Sequence, residues 1–170
     1  MPDFVNAPLR RHEALVPFSR DHFTGLVHAY RLIRSATQDR ATRRKALAGI
    51  LDDWNGEIEQ HFEDEERLLI PVLDLDDASR LVLEHRELVA LFDRIRAQRS
   101  VLDPDPEPLK TMGHALDAHI RWEERDLFNR VQNSLTPAQL GLLAVETVRI
   151  EATRPRNNPA SPPPPLGRRP

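Results

Sequence analysis

Two copies of the spacing His-x-x-x-Glu, His61 to Glu65 and His119 to Glu123, fall inside apolar helical stripes, and few folds can accommodate that. Residues four apart on a helix project from one face, a turn apart. Around the second copy, Met112, Leu116, His119, Glu123 and Leu127 recur at threes and fours; around the first, Trp54, Ile58, His61, Glu65 and Leu68 do the same. Such stripes face a core. An imidazole and a carboxylate are costly there unless something pairs them, so two inward pairs point to a shared metal.

The rest of the chain supplies two more inward histidines. A first helix is expected from an N-cap at Ser19 to about Gln38, with the stripe His22, Leu26, Ala29 and Ile33. Residues 1–16, with Pro2 and Pro8, and then Pro17 read as an irregular arm. The second helix should run from about Thr42 to Ile70, where Pro71 stops it. A third, about Ala78 to Arg99, carries Leu81, His85, Leu88, Phe92 and Ile95. After Pro104, Pro106 and Pro108, a fourth is expected from about Leu109 to Asn133. Thr136-Pro137-Ala138-Gln139 has the form of a capping box with proline at the first helical position, opening a short fifth helix to about Glu151.

Without strand-like alternation, and with short connectors, these segments predict an all-α fold: an up-down-up-down four-helix bundle flanked by the fifth helix. Residues 1–152 form that domain, and residues 153–170, rich in proline, read as a disordered tail. At about 1.5 Å rise per residue, antiparallel helices bring His22, His61, Glu65, His85, His119 and Glu123 to within about two turns of one level.

Four imidazoles and two carboxylates at one level predict a dinuclear site. Glu65 and Glu123 would each bridge both ions, with His22 and His61 on one and His85 and His119 on the other. The chain has no cysteine, which excludes disulfides, thiolate zinc sites and cysteine nucleophiles, so the ligands are nitrogen and oxygen. That set suits iron, manganese or zinc; with open positions and carboxylate bridges it favours two non-haem iron ions, with room for an oxo bridge or an exogenous diatomic molecule, and ligand type alone leaves manganese and zinc open. Trp54, Ile58, Leu88, Phe92 and Leu116 form the expected dry wall. A net charge of −3 with interspersed signs gives no case for nucleic acid. No apolar run reaches membrane-spanning length, so the expectation is a cytoplasmic protein.

The segments SRDHFTGL, HFEDEERLLIP, EHRELVALF and HIRWEERDLF, in that order over about residues 11–134, resemble the hemerythrin-like HHE cation-binding family. The resemblance implies a four-helix bundle with a non-haem di-iron centre that binds oxygen or a related small molecule. Two departures separate the chain from the oxygen carriers. Their third helix has His-x-x-x-His, where the neighbours of His85 here are Leu81 and Val89; their fourth has an aspartate five residues after the histidine, where this chain offers Glu123 at four, followed by Glu124. The two ions become nearly equivalent. Sensing, or turnover of peroxide, nitric oxide or ferrous iron, therefore stands beside carriage, as does a metal-responsive interaction module. The subtype that repairs iron centres resembles longer chains with a cysteine-bearing N-terminal part, which this sequence lacks.

Other charged groups read more plainly. His12, His28 and His114 lie off the inward stripes, as surface or outer residues. Glu63, Glu66 and Glu124 have Arg67, Arg121 and Arg125 nearby, the pattern of solvated ion pairs.

Overall fold

A computed structural model describes residues 10–154, and all of its regular structure is helical. The expected disordered tail, Pro2 and Pro8 lie outside the described residues, except that Thr153 ends the last helix and Arg154 follows it. Helix α1 is Val16–Ser35 and α2 is Arg40–Asp53. A π-helical turn, Trp54–Ile58, joins α2 to α3, Glu59–Leu69. Then come α4, Leu75–Arg96, and α5, Pro106–Trp122, which a second π turn, Glu123–Leu127, joins to α6, Phe128–Ser134. The last, α7, is Pro137–Thr153.

Helix α1 begins four residues, and α4 and α5 three residues, before the expected starts, and at α1 and α5 the reason is the same. Proline has no N–H to donate, and the first turn of a helix has no use for one, so proline there opens a helix instead of blocking it. Pro17 lies in the first turn of α1, and Pro106 and Pro108 open α5 behind the Asp105 cap. At α4 the advance has another source: the Asp74 carboxylate accepts from the Asp77 N–H at 2.8 Å and caps a helix starting at Leu75. The capping box at α7 is present as expected, with Thr136 and Gln139 each accepting from the other's backbone N–H.

Both π turns adjoin the histidine–carboxylate pairs. Buried residues Leu116, His119, Glu123, Leu127 and Val131 are spaced three, four, four and four, an average longer than the 3.6 of an α-helix. A wider turn keeps all of them on the inward face.

Helix α1 packs along α5 and beside α2, while α4 packs on α5 and α3. Two glycines permit the close α1–α5 approach: a Cβ on Gly113 would lie 2.8 Å from the Ala29 carbonyl oxygen, and one on Gly25 2.7 Å from Ile120 Cδ1. The interior divides into two apolar clusters. One contains Leu32, Ile50, Trp54, Phe62, Phe92 and Leu116; the other contains Leu15, Phe18, Leu69, Leu81, Phe128 and Leu143. Helix α7 closes over the second cluster and is tied to the N-terminal arm where the Thr147 hydroxyl donates to the Ala14 carbonyl at 3.1 Å.

Candidate metal centre

Between the two apolar clusters lies a single polar layer, and all six expected residues are in it. His22, His61, Glu65, His85, His119 and Glu123 are buried, both glutamates completely. Their inward atoms form two overlapping groups: His22, His61, Glu65 and Glu123, and then Glu65, His85, His119 and Glu123, each with ligand atoms within 4.8 Å of one another. The Glu65 oxygens divide between the groups. Oε1 lies 3.2 Å from His61 Nε2 and 3.6 Å from His22 Nε2, and Oε2 lies 3.4 Å from His85 Nε2. Glu123 Oε2 stands 3.0 Å from His22 Nε2 and 3.3 Å from His119 Nε2.

Close as they are, these atoms are not hydrogen-bonded. The Nε2 atoms of all four histidines and both oxygens of Glu65 and Glu123 are buried without a partner. Buried polar atoms are normally satisfied, because leaving one unpaired costs about 1–3 kcal/mol. Eight unpaired donors aimed at common points fit cations with nitrogen and oxygen ligands.

The outward nitrogens are organised by a second set of carboxylates running around the bundle. His22 Nδ1 meets Glu124 at 2.7 Å, His85 Nδ1 meets Glu66 at 2.9 Å, and His119 Nδ1 meets Glu84 at 2.8 Å. His61 Nδ1 faces Asp21 at 3.6 Å, beyond hydrogen-bond length. Each of these carboxylates is the chain neighbour of a layer residue and reaches the histidine of an adjacent helix. A carboxylate on Nδ1 fixes the ring and turns the Nε2 lone pair inward, as metal-bound imidazoles require. Rings of the two apolar clusters hold two imidazoles flat: His22 stacks on Phe128 at 5.5 Å between centroids and His85 on Phe62 at 4.2 Å.

Electrostatics express the same design. Burial opposes a charge on His22, but Glu123, Glu124 and Glu65 outweigh it and hold the imidazole well above its ordinary value. Burial likewise opposes charging His61, yet Glu65 and Asp21 push it up to about 9. Burial would raise Glu65, but His61, His22 and His85 keep it well below the usual carboxylate range. Glu124, despite burial, is drawn down to about 2 by His22, Ser19 and Arg11. Burial opposes a charge on His85 too, but Glu65, Glu123 and Glu66 raise it, so without a cation the carboxylates favour a proton on His22, His61 and His85.

A cavity of about 370 Å³ reaches the layer. His22, His61, His119 and Glu123 line its floor, Gly25, Ile58, Phe62, Leu116 and Ile120 its walls, and Arg20, Asp21, Glu57, Glu151 and Arg154 its mouth. His85 does not line it. Phe62 covers that imidazole.

Several expectations for the outer residues are corrected. Glu66 and Glu124 are not solvated partners of nearby arginines; each accepts from a layer histidine, and Arg11 donates to Glu124 at 2.6 Å. Asp21 and Glu84 were missed altogether as site residues. The signal for all four is the acidic residue beside each layer residue: Asp21-His22, Glu65-Glu66, Glu84-His85 and Glu123-Glu124. His28 is buried, with Nε2 2.7 Å from Asp53, while His114 is exposed as expected.

The fold and the layer define a class: an all-helical protein with a buried histidine–carboxylate cluster built for cations. The family model for the hemerythrin HHE cation-binding domain matches residues 20–131, and the chain belongs to that family. No significant match was found among curated proteins or among solved structures.

Proposed function

We propose that the protein is a non-haem di-iron protein that binds or senses oxygen or a related small molecule, with His22, His61, Glu65, His85, His119 and Glu123 as the ligands. The observation that carries this reading is the set of eight unpartnered inward atoms, divided between two groups that share Glu65 and Glu123. His22 and His61 would hold one ion and His85 and His119 the other, with Glu65 and Glu123 common to both. The iron pair supplies the redox chemistry and the open positions for the exogenous ligand. The chain's own residues do the rest. Glu66, Glu84 and Glu124 orient three imidazoles, Phe62 shields His85, and the cavity admits the ligand on the His22 and His61 side. Leu81 is fully buried in the second apolar cluster and Val89 packs against the first, so α4 offers no second ligand and carries the site on His85 alone.

The up-down-up-down order of four helices belongs to the same reading. It is supported by cross-helix pairs whose numbers run in opposite senses: Gly25 with Ile120 and Gly113 with Ile33, His28 with Asp53 and His22 with His61, Glu84 with His119 and Asp77 with Arg130. Among the described residues no helix is long and apolar enough to cross a membrane. We place the protein in the cytoplasm.

Metal analysis of protein purified without oxygen tests the reading: about two irons per chain are expected, with visible absorbance that changes reversibly on adding and removing oxygen. Fewer than one iron per chain after loading, or another metal in preference, overturns it. A second reading, turnover of peroxide, nitric oxide or ferrous iron, is favoured by a cavity larger than a diatomic needs. Oxidation that persists and consumes substrate would select it. The third, a metal-responsive interaction module, is favoured by the exposed apolar face of α7 at Leu142, Val145 and Val148. A metal-dependent change of oligomeric state without a small-molecule response would select that one.

A further inference from the structure

Three of the four layer histidines are held by a hydrogen bond to Nδ1, and His61 is not. The cause lies in how each outer carboxylate divides its oxygens. Glu124 gives Oε1 to His22 and Oε2 to Arg11; Glu84 gives Oε2 to His119 and Oε1 to Arg80; Glu66 gives Oε1 to His85. Asp21 offers a single oxygen, Oδ2, to both His61 and Arg154. Arg154 has the stronger claim. Its Nε and Nη2 donate to Asp64 Oδ2 at 2.8 and 2.7 Å, and Asp64 is buried and held on its other oxygen by Arg67 at 3.0 Å. The guanidinium is thus anchored by two nitrogens, and Nη1 takes the Asp21 oxygen.

We propose that Arg154, the residue that follows α7, is a positioning residue for His61: it holds Asp21 off Nδ1 and leaves His61 the least restrained ligand, on the side the cavity reaches. This rests on the assignment of His61 as a metal ligand. It ties the end of α7 to the metal layer. Where Arg154 withdraws, Asp21 closes on His61 Nδ1 as the other carboxylates close on their imidazoles, and His61 becomes a stronger donor to the metal.

The test is a cycle of Arg154→Ala and Asp21→Ala, with Arg154→Lys as the conservative variant, and it has two readouts. In the metal-free protein, NMR of the histidine rings should show a His61 Nδ1–H protected from exchange in Arg154→Ala and unprotected in the parent, in Arg154→Lys and in the double variant. In iron-loaded protein, equilibrium competition with a chelator should show iron held about tenfold more tightly in Arg154→Ala, at the low end of the 10–100-fold range for outer-carboxylate changes. The gain should vanish in the double variant. Asp21→Ala alone should change affinity less than threefold. An unprotected His61 ring in Arg154→Ala, or an affinity gain that survives loss of Asp21, overturns the proposal. If the parent takes up no iron, the metal assignment fails by itself, and the ring measurement still decides whether Arg154 restrains Asp21.

Discussion

Removing Glu65 should cost the protein both ions, while removing His85 should cost only one. The difference follows from the oxygens: Glu65 Oε1 belongs with His22 and His61, Oε2 with His85, whereas His85 donates to one group alone. A site filled at about one hundred times its dissociation constant adds about 2.7 kcal/mol to stability, so two filled sites add about 5.4 kcal/mol. At about 2–4 °C per kcal/mol for a chain of this size, iron should raise the Tm of the parent by about 11–22 °C. His85→Ala should keep about half of that rise and about one iron per chain; Glu65→Ala should lose nearly all of both. Calorimetry with and without iron, paired with metal analysis, measures this. Each variant is compared with its own metal-free form, because either substitution also opens space in the layer. A Glu65→Ala protein that keeps one tightly held iron, and so matches His85→Ala, would refute the assignment of Glu65 as the shared ligand.

Other consequences concern packing and the outer carboxylates. Alanine for glycine inside a helix normally stabilises by about 1 kcal/mol; Gly113→Ala should instead destabilise by about 1–3 kcal/mol in a denaturant titration, because its Cβ meets backbone atoms of Ala29 and Ile33. Gly25→Ala should cost less, since its one tight contact, at 2.7 Å, is with the movable Cδ1 end of Ile120. Glu84→Leu should weaken iron binding about 10–100-fold in a competition assay while leaving far-ultraviolet dichroism unchanged. Asp53→Ala should lower stability by about 1–3 kcal/mol with no effect on iron content, because it strands the buried His28 ring away from the layer.

The six layer residues were legible because periodicity fixes a side chain's face, and rise per residue fixes its height; both survive modest errors in where helices end. The outer carboxylates were not legible by that route. Each sits one residue from a layer residue, about 100° around its helix, where a single-helix view shows only a polar flank. Its partner is on the next helix, and only the packing of two helices brings Glu84 to His119 or Glu66 to His85. His28 was misplaced for a related reason. Helix α1 has α2 on one side and α5 on the other, so it buries a wider arc than one stripe. The proline-opened starts of α1 and α5 and the two π turns were also readable in principle, from first-turn proline tolerance and from the run of fours through His119.

Charge in and around the layer bears on what it can hold. Asp21, Glu65, Glu66, Glu84, Glu123 and Glu124 bring six carboxylates, and Arg11, Arg80 and Arg154 contact three of them. Three negative charges therefore remain if the imidazoles are neutral; two divalent ions would neutralise them with one positive charge to spare, and one monovalent ion would leave two uncompensated. In the metal-free protein, protons take that place, since His22 and His61 both sit above their ordinary values and His61 lies at about 9. Because the folded value for His61 exceeds 6.5, its share of metal-free stability is complete below about pH 6.5 and disappears as pH rises through about 9. Metal needs the neutral ring, so the rise in Tm on loading should widen over the same window. Loading at pH 7 in weakly buffered solution should release about two protons per chain from His22 and His61, readable with a pH indicator, plus a further share from His85, whose ring Glu65 also holds above its ordinary value against the opposing effect of burial. Iron uptake at full stoichiometry with release of less than half a proton would mean that the ions bind elsewhere than on these imidazoles.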